Sequence, residues 1–134
     1  EFPAVQDAHL LLPKWSRIRE IRAGVLRSLE EVRAAGGIGS SLQAEVKLRA
    51  SAEDHELLST LGDDLRFVTI TSAATLERAA SPEEAGVTVE PSAHAKCDPC
   101  WHWRADVGVD PTHPKICGRC VSNLFGDGEA RQHA

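Results

Sequence analysis

The segment Cys97-Asp98-Pro99-Cys100, followed after sixteen residues by Cys117-Gly118-Arg119-Cys120, holds all four cysteines of this 134-residue chain. Two C-x2-C pairs at such a separation are typical of a metal site, because each pair presents two thiolates from one tight turn. A complete set of four thiolates leaves no open position for catalysis, so the metal is structural. The sequence therefore predicts one structural Zn²⁺ ion bound by Cys97, Cys100, Cys117 and Cys120.

The sequence also allows three other uses of these cysteines. Two disulfides would suit a secreted protein, but the first residues do not have the order of charged, apolar and small residues that marks a signal peptide. A redox C-x-x-C needs only one pair. An iron or iron–sulfur centre shares the same ligands, so the sequence favours zinc without separating it from iron.

The two cysteine pairs and the segments before them predict three parts. Residues 96–134 are too few to bury a sizeable core, so metal binding is expected to supply most of their folding free energy, as in a zinc ribbon. Residues 38–95 are predicted to form a small α+β domain, and residues 1–37 a terminal helix. The predicted fold class is α+β.

An amphipathic helix is predicted from Trp15 to about Ala35, because its apolar residues recur at helical spacing. Pro13 suits the entry to such a helix, and Gly36-Gly37 suit its exit. Five arginines lie along the same segment: Arg17, Arg19, Arg22, Arg27 and Arg33.

Residues 38–95 read as a β-α-β-β unit. Residues 42–50 alternate apolar and polar side chains and predict a half-buried strand. Ser51 and Asp54 resemble a capping pair for a short helix over 52–61, ended by Gly62. A second strand is predicted over 65–71 and a third over 87–89, with residues 72–86 as a loop between them.

Composition and motifs argue against several classes of function for this chain. The net charge of −5 argues against a free-standing nucleic-acid binder, and no apolar run approaches the length of a membrane span, which predicts a soluble protein without a membrane partner. The chain contains no methionine, so it is interpreted as a fragment of a longer protein. No catalytic triad, phosphate-binding loop or H-E-x-x-H motif is present, and the chain alone is not expected to be an enzyme.

Aromatic and basic residues lie next to both cysteine pairs. Unstacked nucleobases bind aromatic faces, and their phosphates bind nearby cations. If residues 101–103 form a strand, both of its tryptophans lie on one face, although one of them could instead cover the metal site. His102 and His113 are expected to pack or to be exposed rather than to bind metal. The candidate RNA-binding residues are Trp101, Trp103, Arg104, Lys115 and Arg119.

Three stretches together resemble one family. These are Ala95-Lys96-Cys97-Asp98-Pro99-Cys100-Trp101-His102-Trp103, then Ile116-Cys117-Gly118-Arg119-Cys120-Val121-Ser122-Asn123, then Gly126-Asp127-Gly128-Glu129. They closely resemble the extreme C-terminus of bacterial isoleucyl-tRNA synthetases. The basic helix, the segment 38–46 and Leu65-Arg66-Phe67-Val68 are similar to the part that follows that family's anticodon-binding bundle, so the resemblance covers nearly the whole chain from Trp15 onward.

The resemblance implies a cytoplasmic, monomeric class I synthetase that joins isoleucine to its tRNA with ATP and edits mischarged valine. Its ATP-binding and editing regions would lie outside this chain. The match places the family's C-terminal zinc on the four cysteines named above. It also implies that this region binds the anticodon stem-loop of isoleucine tRNA and contacts the rest of the synthetase in cis, with residues 1–37 ending the helical bundle.

Two alternatives belong to other classes. Formamidopyrimidine-type DNA glycosylases end in a zinc ribbon with similar cysteine spacing, but a helix–two-turn–helix element precedes it there, whereas a β-α-β-β unit is predicted here. A purely structural cap, which never touches RNA, is the other alternative, and the net charge of −5 is compatible with it.

Overall fold

The computed structural model describes residues 3–130 of the chain. Within these residues the fold is α+β, as predicted, and begins with one long helix. The helices are α1 (Ala8–Ala34), α2 (Ala52–Ser59), α3 (Leu65–Thr69) and α4 (Gly118–Phe125). The strands are β1 (Ala44–Ala50), β2 (Ala73–Arg78), β3 (Gly86–Pro91), β4 (Ala95–Lys96) and β5 (Trp103–Arg104).

Helix α1 confirms the amphipathic pattern but begins seven residues before Trp15. Its buried residues are Ile18, Val25 and Leu29. Pro13 was expected at the helix entry and instead lies inside the helix. This part of α1 is exposed, so water can bind the carbonyl that the missing proline N–H leaves free. The predicted exit is confirmed, since Gly36 takes a φ of 80° just after the helix.

Strand β1 lies at the centre of a three-stranded sheet of order β2-β1-β3 in the described part of the chain. The β1–β2 pair is parallel, with Val46 opposite Ala74, and the β1–β3 pair is antiparallel, with Val46 opposite Val89. The predicted alternation of β1 is confirmed, because its residues 44, 46, 48 and 50 are buried. Helix α1 packs over this sheet, and the two share one hydrophobic core.

Helix α2 begins as predicted. The Ser51 hydroxyl accepts the backbone N–H of Asp54 at 3.2 Å and so satisfies one of the free donors of the first turn. The helix ends at Ser59, two residues earlier than expected, and a 3₁₀ turn from Gly62 to Asp64 leads into α3.

The second predicted strand is wrong. Residues Leu65–Thr69 form α3, and the strand that pairs with β1 is Ala73–Arg78, in the predicted loop. The β-branched residues of this segment have only a weak preference for strands, and packing overrides it. The Thr69 hydroxyl bonds back to the Leu65 carbonyl at 3.1 Å, and Arg22 Nε donates to the Val68 carbonyl at 2.8 Å. These bonds stabilise a single helical turn that ends at Ile70 in the left-handed region.

The C-terminal part is built around the cysteines. Strands β4 and β5 form an antiparallel hairpin that carries the first pair, whereas the second pair opens helix α4, which the sequence analysis did not predict. The cysteines form a hydrophobic cluster with Val107 and Ile116, separate from the core under α1. The domain boundaries at residues 37 and 95 stay predictions. Between residues 3 and 130 no helix has the length and apolarity that a membrane crossing requires.

Candidate metal centre

The four cysteine sulfurs lie within 4.8 Å of one another. Three of the cysteines are buried, and Cys100 is half-buried. A tetrahedral ion with metal–sulfur bonds of about 2.3 Å holds its sulfurs about 3.8 Å apart. The Sγ atoms of Cys100 and Cys117 are 3.8 Å apart, so the cluster is close to that size. The four thiols are therefore placed to bind one metal ion.

Tight backbone hydrogen bonds shape the first pair. The Trp101 N–H donates to the Cys97 carbonyl at 2.9 Å, which closes the turn, and the Cys97 N–H donates to the His102 carbonyl at 2.8 Å. The Asp98 N–H reaches the Lys115 carbonyl at 3.1 Å and joins the first turn to the segment before the second pair. The hairpin thus aims both of its thiols at the second pair.

The second pair lies at the start of α4. Cys117 is the N-cap residue, and its carbonyl accepts the Val121 N–H at 2.9 Å. Asp106 Oδ2 accepts the Gly118 N–H at 3.1 Å, so a carboxylate outside the helix caps its first turn. A Cβ atom on Gly118 would lie 2.9 Å from that oxygen, so any larger residue there would require the Asp106 carboxylate to shift.

Electrostatics at the centre favour a cation. Burial raises the pKa of the Cys117 and Cys120 thiols, and the neighbouring sulfurs raise it further. Burial also acts on Cys97, but N–H donors from Cys100 and Cys117 outweigh it and lower the pKa of that thiol. Four thiolates this close repel one another, and a divalent cation among them would offset the repulsion.

Trp101 is the most exposed of the three tryptophans. Its side chain is 60% exposed, and its backbone takes a φ of 64° at the end of the first cysteine turn. Lys96 Nζ lies 5.2 Å from the ring centroid, within cation–π distance. Trp101 is outside β5, so the expectation that it shares a strand face with Trp103 is wrong. The left-handed conformation breaks the alternation on which that expectation depended.

Trp103 and Arg104 line a cleft between the sheet and the C-terminal part, with a volume of about 300 Å³. Ser72 forms its floor. The Trp103 N–H donates to the Ser72 hydroxyl at 2.6 Å, and Arg104 Nη1 donates to the Ser72 carbonyl at 3.4 Å. Both predicted residues are half-buried and are held by the sheet.

Lys115 and Arg119 differ in their surroundings. Lys115 is exposed. Arg119 is half-buried, and its Nε donates to Glu129 at 2.6 Å, a bond that raises the pKa of Arg119. Its guanidinium also lies 5.0 Å from the centroid of the Phe67 ring. Arg119 is therefore already engaged within the chain.

Three residues that support the centre were not predicted from the sequence: Ser72, Phe67 and Asp106. Ser72 is fully buried between the sheet and β5. Phe67 contacts Arg119 and His102 from α3. An isolated serine, phenylalanine or aspartate carries no spacing signal, so only the folded chain reveals these roles.

Comparison with known proteins gives the family. No protein-family model matches the chain. It is 61% identical over 132 residues to the isoleucine–tRNA ligase of Bordetella petrii, 59% identical over 132 residues to that of Cupriavidus taiwanensis, and 55% identical over 134 residues to that of Janthinobacterium sp.. These alignments cover 98% or more of this chain and 14% of each ligase. The predicted resemblance is thus confirmed, and the chain belongs to the isoleucine–tRNA ligase family, with which it shares this one segment.

Proposed function

We propose that this chain is the C-terminal part of an isoleucine–tRNA ligase, where a Zn²⁺ ion on the four cysteines supports a surface that binds the anticodon stem-loop of isoleucine tRNA. The ligase as a whole would charge that tRNA with isoleucine by means of ATP. The relatives named above support the parent activity. The absence of catalytic motifs in the sequence supports a binding role, without catalysis, for this chain alone.

Trp101 is the observation that carries the proposal. A φ of 64° suits glycine, and a bulky side chain there costs about 1 kcal/mol or more. The chain nevertheless places its most exposed tryptophan at this position, beside Lys96. A protruding aromatic ring next to a cation suits an unstacked base and its phosphate, whereas packing gains nothing from it.

The remaining candidate residues fit the surface to different degrees. Lys115 is exposed and can contact phosphate. Trp103 and Arg104 border the cleft above Ser72, where a second base or a phosphate could enter. Arg119 would have to exchange Glu129 for RNA, so its contact with phosphate is the weakest of these assignments.

Zinc would act as a cross-link here. Bound to Cys97, Cys100, Cys117 and Cys120, it would join the hairpin to α4 and contribute folding free energy to a segment with a very small core. It would supply no catalytic step, because the protein fills all of its ligand positions.

The rest of the ligase is proposed to pack in cis against the start of α1. Leu10 and Leu12 are 62% and 71% exposed, and neighbouring Val5 is 63% exposed. Exposed apolar residues clustered in this way mark contact surfaces. The proposed setting is a cytoplasmic, monomeric enzyme without a membrane partner.

Titration of the zinc-loaded chain with the anticodon stem-loop of isoleucine tRNA tests the proposal. Trp101→Gly relieves the backbone strain and removes the ring. The zinc content and the unfolding free energy should therefore stay at their wild-type values, while the affinity for RNA falls about tenfold to hundredfold. Leu124→Ala, which shortens an apolar side chain of α4 that is 58% exposed, is the control for loss of exposed apolar surface and should bind normally. Two results would contradict the proposal and favour a purely structural cap. One is a Trp101→Gly variant that binds the stem-loop with full affinity, and the other is a wild-type chain that binds cognate and non-cognate stem-loops equally well.

A further inference from the structure

The unfavourable backbone of Trp101 is fixed on both sides by hydrogen bonds. Its own N–H donates to the Cys97 carbonyl at 2.9 Å. The preceding carbonyl, that of Cys100, accepts from His102 Nδ1 at 3.1 Å. A bulky residue keeps a left-handed conformation only where its surroundings impose it. The Cys100–Trp101 peptide therefore depends on the orientation of the His102 ring.

The His102 ring is itself positioned by packing. It is 9% exposed, and its Nε2 atom has no hydrogen-bond partner within residues 3–130. The Phe67 ring of α3 meets it edge to face at a centroid distance of 5.8 Å and an angle of 75°. The Nδ1 bond and the Phe67 ring both favour this orientation of the His102 ring.

Phe67 is held in turn by two arginines. The guanidinium carbons of Arg66 and Arg119 lie 4.4 Å and 5.0 Å from its ring centroid. Arg66 bonds Asp63 at 2.9 Å, and Arg119 bonds Glu129 at 2.6 Å. Two anchored guanidinium groups at these distances restrict the freedom of the Phe67 ring to turn.

We propose that Phe67 is a positioning residue for Trp101, which acts through His102 and the Cys100–Trp101 peptide. The inference rests on the proposed function, in which Trp101 stacks on an RNA base. The α3 turn then holds the indole in its binding orientation before RNA arrives, which reduces the entropy lost on binding. It also gives the α+β part of the chain a role in RNA affinity without any contact to RNA.

A double-mutant cycle on the zinc-loaded chain tests this inference. Phe67→Leu should weaken stem-loop binding about threefold to tenfold in the wild-type background and leave binding unchanged in the Trp101→Gly background. Phe67→Tyr keeps the ring and should restore wild-type affinity. Val68→Ala, the neighbouring half-buried residue of α3 that packs on the other core, is the control for general destabilisation.

A second measurement needs no RNA. With 5-fluorotryptophan incorporated, the ¹⁹F resonance of Trp101 should shift and broaden in Phe67→Leu but not in Val68→Ala, at one zinc per chain in both. An unchanged resonance, or an equal loss of affinity in the wild-type and Trp101→Gly backgrounds, would overturn the positioning role. If Trp101→Gly alone left affinity intact, the proposed RNA contact would fail, while the ¹⁹F measurement would still decide whether Phe67 orients the indole.

Discussion

The hydroxyl of Ser72 accepts the backbone N–H of Trp103 at 2.6 Å and thereby joins the residue before β2 to the first residue of β5. The same hydroxyl donates to the Leu42 carbonyl, and the Ser72 N–H donates to the Ala44 carbonyl at 3.0 Å. One fully buried side chain thus connects the sheet to the metal-binding part. Because Ser72 is fully buried, its hydroxyl depends on these partners for its hydrogen bonds.

Ser72→Ala should therefore lower the unfolding free energy by about 1–3 kcal/mol, since it leaves a buried donor and a buried acceptor unpaired. Urea unfolding of the zinc-loaded chain measures this, and amide exchange at Trp103 should quicken. Ser40→Ala is the control, because the Ser40 side chain is exposed and caps nothing. A loss below about 0.5 kcal/mol would mean that the two parts dock by other contacts.

Cys117→Ser should release the metal. It removes one of the four thiolates that would bind the ion directly, so the affinity for Zn²⁺ should fall further than the 10–100-fold that loss of an outer hydrogen bond costs. NMR signals of residues 95–130 should lose dispersion while those of α1 and the sheet persist, because the two hydrophobic clusters are separate. Chelation of the metal from the wild type should give the same spectrum. Stem-loop affinity should fall with the metal, and full RNA binding without zinc would contradict the proposed surface.

Asp54→Asn should destabilise the chain in a pH-dependent way. Hydrogen bonds of 2.9 Å and 2.8 Å from Arg17 lower the pKa of the Asp54 carboxyl, which is 17% exposed. The folded state thus favours the carboxylate, so its contribution is complete above the ordinary pKa of about 4 and is lost as the pH falls through the lower folded pKa.

The unfolding free energy of the wild type should exceed that of Asp54→Asn by about 1 kcal/mol at pH 7, and the difference should vanish as the pH falls below the lowered folded pKa of Asp54. Thermal unfolding of both proteins from pH 7 into acid measures this difference. Because both proteins contain the same four cysteines, the effects of acid on the thiolates cancel in the comparison. Glu20→Gln alters the more exposed partner of Arg17 and should change the unfolding free energy little at any pH. A difference that persists in acid would show that the carboxylate charge is not its source.

Gly118→Ala should weaken metal binding. A Cβ atom would lie 2.9 Å from Asp106 Oδ2, so the carboxylate must shift and its hydrogen bond to the first turn of α4 should weaken. Competition with a chromophoric chelator should show about a tenfold weaker affinity for zinc. Gly86→Ala is the matched control, since a Cβ there meets nothing within 4 Å. Equal zinc affinities for the two variants would show that the cap does not support the second cysteine pair.

Patterns that repeat along the sequence predicted most of this fold. The cysteine spacing predicted that the four thiols lie together, helical periodicity predicted α1, and strict alternation predicted β1. These signals succeed because one local rule applies to many residues in a row. The number of strands in residues 38–95 was also right, although the second strand was assigned to residues that form the additional helix α3.

The errors lie where a distant contact decides the local structure. Leu65–Thr69 has strand-forming residues but forms a helical turn, which is fixed by Arg22 from α1. Strand β2, Ala-Ala-Thr-Leu-Glu-Arg, is a weak strand former and is extended because it pairs with β1. Trp101 leaves the strand because the cysteine turn requires a positive φ. These contacts join residues from different parts of the chain, so the local sequence around each segment does not predict them.

The position of Ser72 also has a consequence for the order of events during folding. The β4–β5 hairpin closes within ten residues, so it is a local and rapid step. The β1–β2 pair joins residues 28 apart, such as Val46 and Ala74, and must wait for a larger loop to close. Ser72 precedes β2 directly, so its hydroxyl is in position to accept the Trp103 N–H only when β2 has paired with β1. The β4–β5 hairpin can therefore form early but binds to the sheet late. A chain that emerges from the ribosome would thus assemble its cysteine segment on a surface completed beforehand.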